Sequence, residues 1–519
     1  MTHTFNEITK NIVDRFLQNI LFIDDNAYPT EDHQKVNVFD ASKISSVFAQ
    51  KGKLCSIFAP TSEKDLQTCS SLFAKSDVVV LDWYLVLKKE QLIGNEEDDA
   101  DSEEPRGFYT TKLINNIIED AGDKKLKLII VYTGETDLIG ITESLYNGIT
   151  MKDKFDKNDC RIYSSNVSIL ICAKYKDDDQ FKHNPELKNK IVKYEDLPEF
   201  ITEKFSNFVG GLLPDFAMSA ITTIRDNTSN ILGVFSKDID PAFLAQYVSI
   251  PDSNDAISML PQIFGSAMTD LIDSSNFYFK TWIDKWLTQK FRKQYPTKIG
   301  KNQININKTN IQNIVNSTEA EFKSKLKNEF GDIKGNEDEL KKDAINLFRI
   351  SYQKPNYKLA KLIQYSNPFS PSQKKRLTTG TIVKYKKTNR WHFLLCIQQR
   401  CDSVRIAKEE ARSFLFLPLQ QKGKGEAVVV EENKHLIVDN KSYAIELHKF
   451  KPIETDVQIL AKPQGDQYVF TDIENKQYIW VAELKDMFAQ HIVSAYASQL
   501  SRVGIDNSEW IRLVGKTKQ

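Results

Sequence analysis

Five polar side chains define a possible chemistry in this chain: the acid pair Asp24 and Asp25, the lone acid Asp82, the hydroxyl of Thr133 and the ammonium of Lys174. A carboxylate that attacks a phosphoryl group meets another anion, so a divalent cation has to sit between them. Mg²⁺ suits the task because it takes oxygen ligands and retains several waters. Asp24 and Asp25 would anchor that cation. Asp82 would complete the metal site and act as nucleophile, giving an acyl phosphate. Thr133 can hydrogen-bond one phosphoryl oxygen, and Lys174 can pair with another as a compact charge. Without cation and lysine the acids would repel one another, and at least one would be pushed towards protonation.

The elements that must hold these groups can be read from what precedes each of them. Asp24 follows Ile20-Leu21-Phe22-Ile23, Asp82 follows Val78-Val79-Val80-Leu81, Thr133 follows Leu128-Ile129-Ile130-Val131-Tyr132, and Lys174 closes the run from Val167 to Ala173. Continuous β-branched runs of this length fit strands buried on both faces of a parallel sheet, with helices as the crossovers. Every strand then ends along one edge, and in open α/β sheets that edge is where ligands bind.

The ordered set of acid pair, acid, hydroxyl and lysine resembles the receiver domains of two-component response regulators, which implies a doubly wound, flavodoxin-like α/β fold. The resemblance implies that Asp24 and Asp25 are the acidic pair and Asp82 the phosphorylation site. It further implies that Tyr84 lends a backbone carbonyl to the metal, that Thr133 is the switch hydroxyl and that Lys174 is the phosphate lysine. Leu54-Cys55-Ser56-Ile57-Phe58 then fills the second strand, and Gly107 to Ile114 opens the helix after the third. Two positions depart from the family pattern. Tyr175 follows Lys174 where receivers usually carry proline, and Ile171 stands where many carry an aromatic switch residue. The span from Asp82 to Thr133 is also long, with much of the excess between Lys88 and Arg106.

Beyond a receiver-like region over residues 1–190, the sequence predicts a helical domain and connector over 194–370 and a β-rich barrel or sandwich with a terminal helix over 377–519. The acid-rich stretch Glu96 to Glu104 reads as a solvated loop that could steer a basic partner or gate access. Asp196-Leu197-Pro198-Glu199 opens a helix that Gly210-Gly211 ends. Three further helices are expected to bury apolar stripes: Phe216, Ala220, Ile221, Ile224, Ile231, Leu232 and Phe235; Ile257, Leu260, Phe264, Met268, Leu271 and Ile272; and Phe279, Trp282, Ile283, Trp286 and Leu287. Arg225-Asp226-Asn227 could form a buried polar network or a partner contact. From Ile304 to Lys361 the polar, acid-base alternating chain reads as a connector, and Lys374-Lys375-Arg376 as a linker. Short alternating runs from Thr381 to Val481 read as strands, followed by a helix carrying Phe488, Ile492 and Tyr496. Cys396 and Cys401 lack a second Cys/His pair at finger spacing and read as structural thiols.

Composition excludes several classes. The 519 residues hold 70 basic and 70 acidic side chains, so no global basic field argues for nucleic acid. No apolar run approaches the ~20 residues a membrane span needs. The N-terminus lacks the regions of a secretion signal, and six cysteines in a chain this long suit a reducing compartment, so a soluble cytoplasmic protein is expected. There is no Walker loop, nucleophile elbow or H-E-x-x-H motif, and no enzymatic effector is expected. The whole layout resembles the large receiver-domain proteins of two-component-like anti-phage defence systems of the Detocs type. That resemblance implies a sensor histidine kinase as donor and a separate effector protein, with an effector-free receiver acting as a phosphate sink. The competing readings are a phosphorylation-switched C-terminal effector or scaffold, and a metal-dependent phosphohydrolase. The absence of substrate-cap motifs and the order of threonine before lysine argue against the hydrolase.

Overall fold

Aliphatic runs without polar alternation are satisfied only in strands covered on both faces, and the N-terminal sheet is made of them. A computed structural model describes residues 3–28, 39–87, 105–123, 125–176, 187, 189–250, 253–275, 277–318, 320–331, 333–335, 340, 343–348, 354–366, 375–403, 406, 412–421, 436–438, 441–445, 448–450 and 459–501. The chain divides into two units, Met1–Lys290 and Phe291–Gln519.

The first unit contains β1 (Asn19–Ile23), β2 (Leu54–Phe58), β3 (Val78–Leu81), β4 (Lys127–Thr133), β5 (Asp156–Asn158), β6 (Arg161–Tyr163), β7 (Val167–Lys174) and β8 (Ile191–Val192). Five of these run parallel in the order β2-β1-β3-β4-β7. The β5–β6 hairpin extends the sheet antiparallel to β7, and β8 pairs with β7 in parallel. Helices α1 (Phe5–Phe16), α2 (Ala41–Gln50), α3 (Glu63–Phe73), α4 (Phe108–Ala121), α5 (Leu138–Gly148) and α6 (Leu197–Val209) cover it. On one face Leu21, Ile23, Val79, Leu81, Ile129 and Val131 pack with residues of α3, α4 and α5. On the other, Ile20, Phe22, Val78, Val80, Leu128 and Ile130 pack with residues of α1, α2 and α6. This is the doubly wound α/β architecture that the strand runs predict. Helix α1 is additional to that expectation, although its signal was present: Thr4 and Glu7 form a reciprocal capping box.

The chain continues into α7 (Leu212–Asp226), α8 (Thr228–Val234), α9 (Asp240–Ser249), α10 (Ser253–Ser274) and α11 (Phe279–Lys290). Helices α10 and α11 lie where they are expected, the helix expected to run on from Phe216 to Phe235 is interrupted at Asn227 into α7 and α8, α9 is additional, and the burial differs. In α7 the buried residues are Asp215, Met218, Ala220 and Thr222, whereas Phe216 and Ile221 face solvent. Polar contact decides the orientation, because the Thr9 hydroxyl on α1 donates to Asp215 at 2.6 Å and the Gly211 N–H donates to it at 3.2 Å. Leu232, Ile257, Leu260 and Phe264 are exposed as well, so the stripes containing them are not core.

Arg225 resolves the choice between network and partner contact. Its guanidinium donates to both Asp77 oxygens, at 2.8 and 3.2 Å, and to the Phe16 carbonyl at 3.0 Å. Asp77 also accepts the N–H groups of Gln18 and Asn19 at 3.0 Å, where the chain enters β1. Removing Asp77 would strand a half-buried cation and two strand-entry donors, so Asp77→Ala should cost about 3 kcal/mol. Asp226→Ala, which removes only an exposed contact to Arg15 at 3.5 Å and a bond from Gln18, should cost less than about 1 kcal/mol. Urea denaturation of the two variants checks this, and equal losses would contradict it.

In the second unit, β9 (Tyr295–Ile299) and β10 (Asn302–Ile306) form a hairpin, followed by α12 (Lys308–Val315), α13 (Phe322–Phe330) and α14 (Lys354–Gln364). The stretch expected to be a solvated connector is instead partly packed. Ile304, Ile306, Ile311, Ile314, Leu326 and Leu347 are buried. Its apolar residues are sparse, but alternation in the hairpin and helical spacing after it gather them. The strands β11 (Thr381–Lys387), β12 (Arg390–Cys396), β13 (Phe414–Gln421), β14 (Leu436–Val438), β15 (Lys441–Ile445), β16 (His448–Phe450), β17 (Lys462–Gln464), β18 (Gln467–Thr471) and β19 (Gln477–Glu483) form an antiparallel sheet. Its order is β14-β15-β13-β12-β11-β19-β18-β17, with β16 beside β13. The last described helix is α15 (Asp486–Ser501), in which Ala489 and Ile492 are buried. Lys375, expected in a linker, is buried with its ammonium 4.8 Å from the centre of the Trp480 ring. Cys396 is a buried free thiol that burial pushes up to about 12, while the side chain of Cys401 lies outside the described residues, as do Glu96 to Glu104, Lys374 and the run Ala427 to Val430. Among the described residues no helix is long and apolar enough to cross a membrane.

Candidate functional site

Register aligns the strand ends that carry the chemistry. Ile23 pairs with Leu81, Leu81 with Val131, and Thr133 with Ala173, which sets Asp24, Asp82, Thr133 and Lys174 along one edge. The Asp82 N–H donates to the Ile23 carbonyl at 3.0 Å and the Asp24 N–H to the Phe58 carbonyl at 3.2 Å, so both acids leave the sheet from fixed backbone. Lys174 is paired with Val192 on β8, which anchors the last residue of β7.

The Lys174 ammonium lies between two carboxylates, 2.7 Å from Asp24 Oδ2 and 2.6 Å from Asp82 Oδ1. The Asp24 and Asp82 side chains are only 3 % and 11 % exposed. The second oxygen of Asp82 accepts the Tyr84 N–H at 2.9 Å, and that of Asp24 accepts the Asn26 N–H at 3.0 Å. Thr133 is buried at the end of β4, and its hydroxyl oxygen accepts the Glu135 N–H at 3.2 Å. Asp25 has one buried carboxylate oxygen without a hydrogen-bond partner.

Burial decides the electrostatics first. It pushes Asp25 up to about 7, helped by the charges of Asp24 and Asp82. Asp82 is raised by burial and by Asp24, against the pull of Lys174. For Lys174 burial works against the charge, but Asp82 and Asp24 outweigh it and hold the ammonium above its usual range. Lys174 therefore answers Asp24 and Asp82 directly, while one oxygen of Asp25 is left without a partner.

An orphaned buried carboxylate oxygen beside two further carboxylates fits a hard cation. Asp24, Asp25 and Asp82 are the residues that could hold one, with the backbone carbonyl of Tyr84. Among the described residues no three carboxylate, imidazole or thiol groups are gathered closely enough to enclose a metal by themselves.

Several contributors lie outside the sequence expectation. The rings of Phe39 and Tyr132 stand 5.4 and 5.8 Å from the Lys174 ammonium. The Tyr132 hydroxyl donates to the Val192 carbonyl at 2.7 Å, joining β4 to β8. Thr110, in the first turn of α4, donates to the carbonyls of Asp82 and Trp83 at 2.7 and 3.0 Å and so fixes the backbone that follows β3. Gly107 before it has φ +82°, and a Cβ there would meet the Trp83 ring at 2.1 Å, so only glycine fits. Tyr132 could have been found from its place beside Thr133 on the opposite face of the strand. Phe39 had no local signal. Ile171 is buried in the core, and no peptide bond among the described residues is cis.

Residues 16–179 match the family model of the response receiver domain. This region contains all five polar residues and Tyr84. No curated protein and no solved structure matches the chain.

The Asp25 shift predicts a pH dependence. Its folded pKa of about 7 lies above the unfolded value of ~3.9, so the folded state holds the proton more tightly. The resulting stabilisation is complete below the unfolded pKa and is lost as pH rises through about 7. In metal-free buffer Asp25→Asn should remove that fall and exceed the wild type in stability above pH 7, by at most about 4 kcal/mol. Urea midpoints from about pH 5 to about pH 8 measure this. A variant that retains the wild-type pH slope would show that another group titrates.

Proposed function

We propose that this protein accepts a phosphoryl group on Asp82 from the phosphohistidine of a sensor kinase, using Mg²⁺ at Asp24, Asp25, Asp82 and the Tyr84 carbonyl. The observation that carries this reading is the ammonium of Lys174 held between Asp24 and Asp82 at one strand edge. The receiver-domain match over residues 16–179 supports it independently. When bound, Mg²⁺ supplies charge neutralisation between the carboxylates and the incoming phosphoryl oxygens.

The chain's own residues account for the rest. One oxygen of Asp82 attacks phosphorus in line, the P–N bond to the donor imidazole breaks, and the imidazole leaves with the bonding pair and takes up a proton. Tyr84 holds the Asp82 carboxylate by its N–H, and Thr110 holds the backbone behind it. Lys174 then pairs with a phosphoryl oxygen in place of the carboxylate oxygen consumed in the new bond, and Thr133 donates its hydroxyl proton to another. Labelling from acetyl phosphate or a kinase should be Mg²⁺-dependent in the wild type and fall to background in Asp82→Asn, which removes the nucleophile at nearly constant volume. Undiminished labelling of the variant would sink the assignment.

Within a signalling system the role proposed is a phosphate sink in anti-phage defence. It is supported by the resemblance of the layout to Detocs-type receiver proteins and by the lack of a recognisable output chemistry in the sequence. A second reading, a switched output, is favoured by one feature: Lys174 and Tyr132 are both tied to Val192 on β8, shortly before α6. Cells carrying Asp82→Asn separate the two. A lost sink causes toxicity only when kinase and effector are both present, whereas a lost switch leaves cells healthy but unprotected.

A further inference from the structure

The helices α8 to α10 expose apolar surface that the phosphoacceptor chemistry does not use. Leu232, Val234, Leu244, Val248, Ile263 and Phe264 are each between 47 % and 77 % exposed. Helix α9 buries no residue at all, and α8 buries only Ile231. A helix rich in apolar residues around its circumference is normally buried against something. These helices are nevertheless ordered against one another. The Phe235 and Phe264 rings stand 5.7 Å apart, and Gln246 donates to the Met259 sulfur at 3.9 Å. Leu213 on α7 and Ile257 on α10, 55 % and 50 % exposed, add to it, and apolar exposure gathered in this way marks an interaction surface.

The sequence around this face specifies the occupant. Between Lys237 and Lys280 there are six aspartates and no lysine, arginine or histidine. The first unit as a whole holds 45 acidic side chains against 31 basic ones. Two copies of such a face would set aspartate against aspartate. Nucleic acid and an anionic bilayer would be repelled. Charge complementarity leaves a partner helix whose apolar stripe is flanked by basic side chains, docking as an amphipathic helix on an apolar surface. We infer that α8 to α10 form the docking surface for a basic amphipathic helix of another protein. This surface is separate from the acids at the sheet edge and does not depend on phosphoryl acceptance.

The probe is a synthetic peptide of leucine and lysine at helical spacing, about 18 residues long so that it holds a helix. A leucine and glutamate peptide of the same pattern is the control, and binding to the full chain is read by fluorescence anisotropy. The lysine peptide should bind with an affinity that falls as salt rises, and the glutamate peptide should not bind. The double variant Leu244→Ser with Val248→Ser, which leaves charge unchanged and alters only exposed positions, should weaken binding at least about tenfold. Leu232→Ser on α8 gives the same reading should the double variant fail to fold. Asp270→Asn with Asp273→Asn should weaken binding and flatten the salt dependence. Equal binding of both peptides would overturn the inference, as would serine variants that bind like the wild type. It would also be overturned by a dimer formed without peptide and dissociated by the serine substitutions, which would identify the occupant as a second copy.

Discussion

Placing three carboxylates at one buried strand edge is unfavourable unless each charge is answered, and this requirement organises the first unit. Charges a few ångströms apart in a low-dielectric setting interact far more strongly than in water. One lysine answers two of the acids directly, with hydrogen bonds of 2.7 and 2.6 Å. The third acid is left with an unpartnered oxygen and a raised pKa. Under the proposed function, a divalent cation would answer the remaining charge and, through it, a phosphoryl group would be held. Such an edge cannot stabilise the fold by itself, because buried charge costs desolvation that pairing only partly returns. The apolar layers on the two faces of the sheet must supply the stability.

The opposite edge of the sheet serves that purpose. Lys127 there donates to the carbonyls of Phe73 and Ser76, and Lys53 to those of Asp14 and Leu17, closing helix ends over the strand entries. Asp77 receives Arg225 from α7 and thereby ties the helical extension to the sheet. The molecule thus separates a firmly satisfied edge from one with an unanswered acid, in keeping with the tendency for functional sites to depart from complete local satisfaction.

The sheet and its reactive edge were legible because each strand is an uninterrupted aliphatic run ended by a residue of distinct charge or hydroxyl character. Asp24, Asp82, Thr133 and Lys174 are found where those runs end. Of the aromatic rings beside Lys174, Phe39 was not legible, since it reaches the site from a segment outside the strands, whereas the place of Tyr132 next to Thr133 was a signal that its reading as one more apolar strand residue passed over. Thr110 looks like any residue in a helix's first turn, and only the folded chain brings its hydroxyl onto the backbone after β3. The apolar stripes on α7, α8 and α10 are exposed for a different reason. Apolar periodicity states that a face wants covering, and it cannot say whether the cover belongs to the same domain or to another molecule. In the hairpin from Tyr295 to Ile306, a polar composition concealed an alternation of only a few isoleucines.

In the proposed function the strand-edge acid Asp82 forms the bond to phosphorus while Asp24 and Asp25 serve the cation. Borohydride reduces an aspartyl phosphate to homoserine, so trapping the phosphorylated full-length protein and sequencing its peptides by mass spectrometry locates the acyl phosphate directly. Asp82 should be converted to homoserine with Asp24 and Asp25 intact. Conversion of Asp24 or Asp25 instead, or phosphate retained on a residue that borohydride does not reduce, would contradict it.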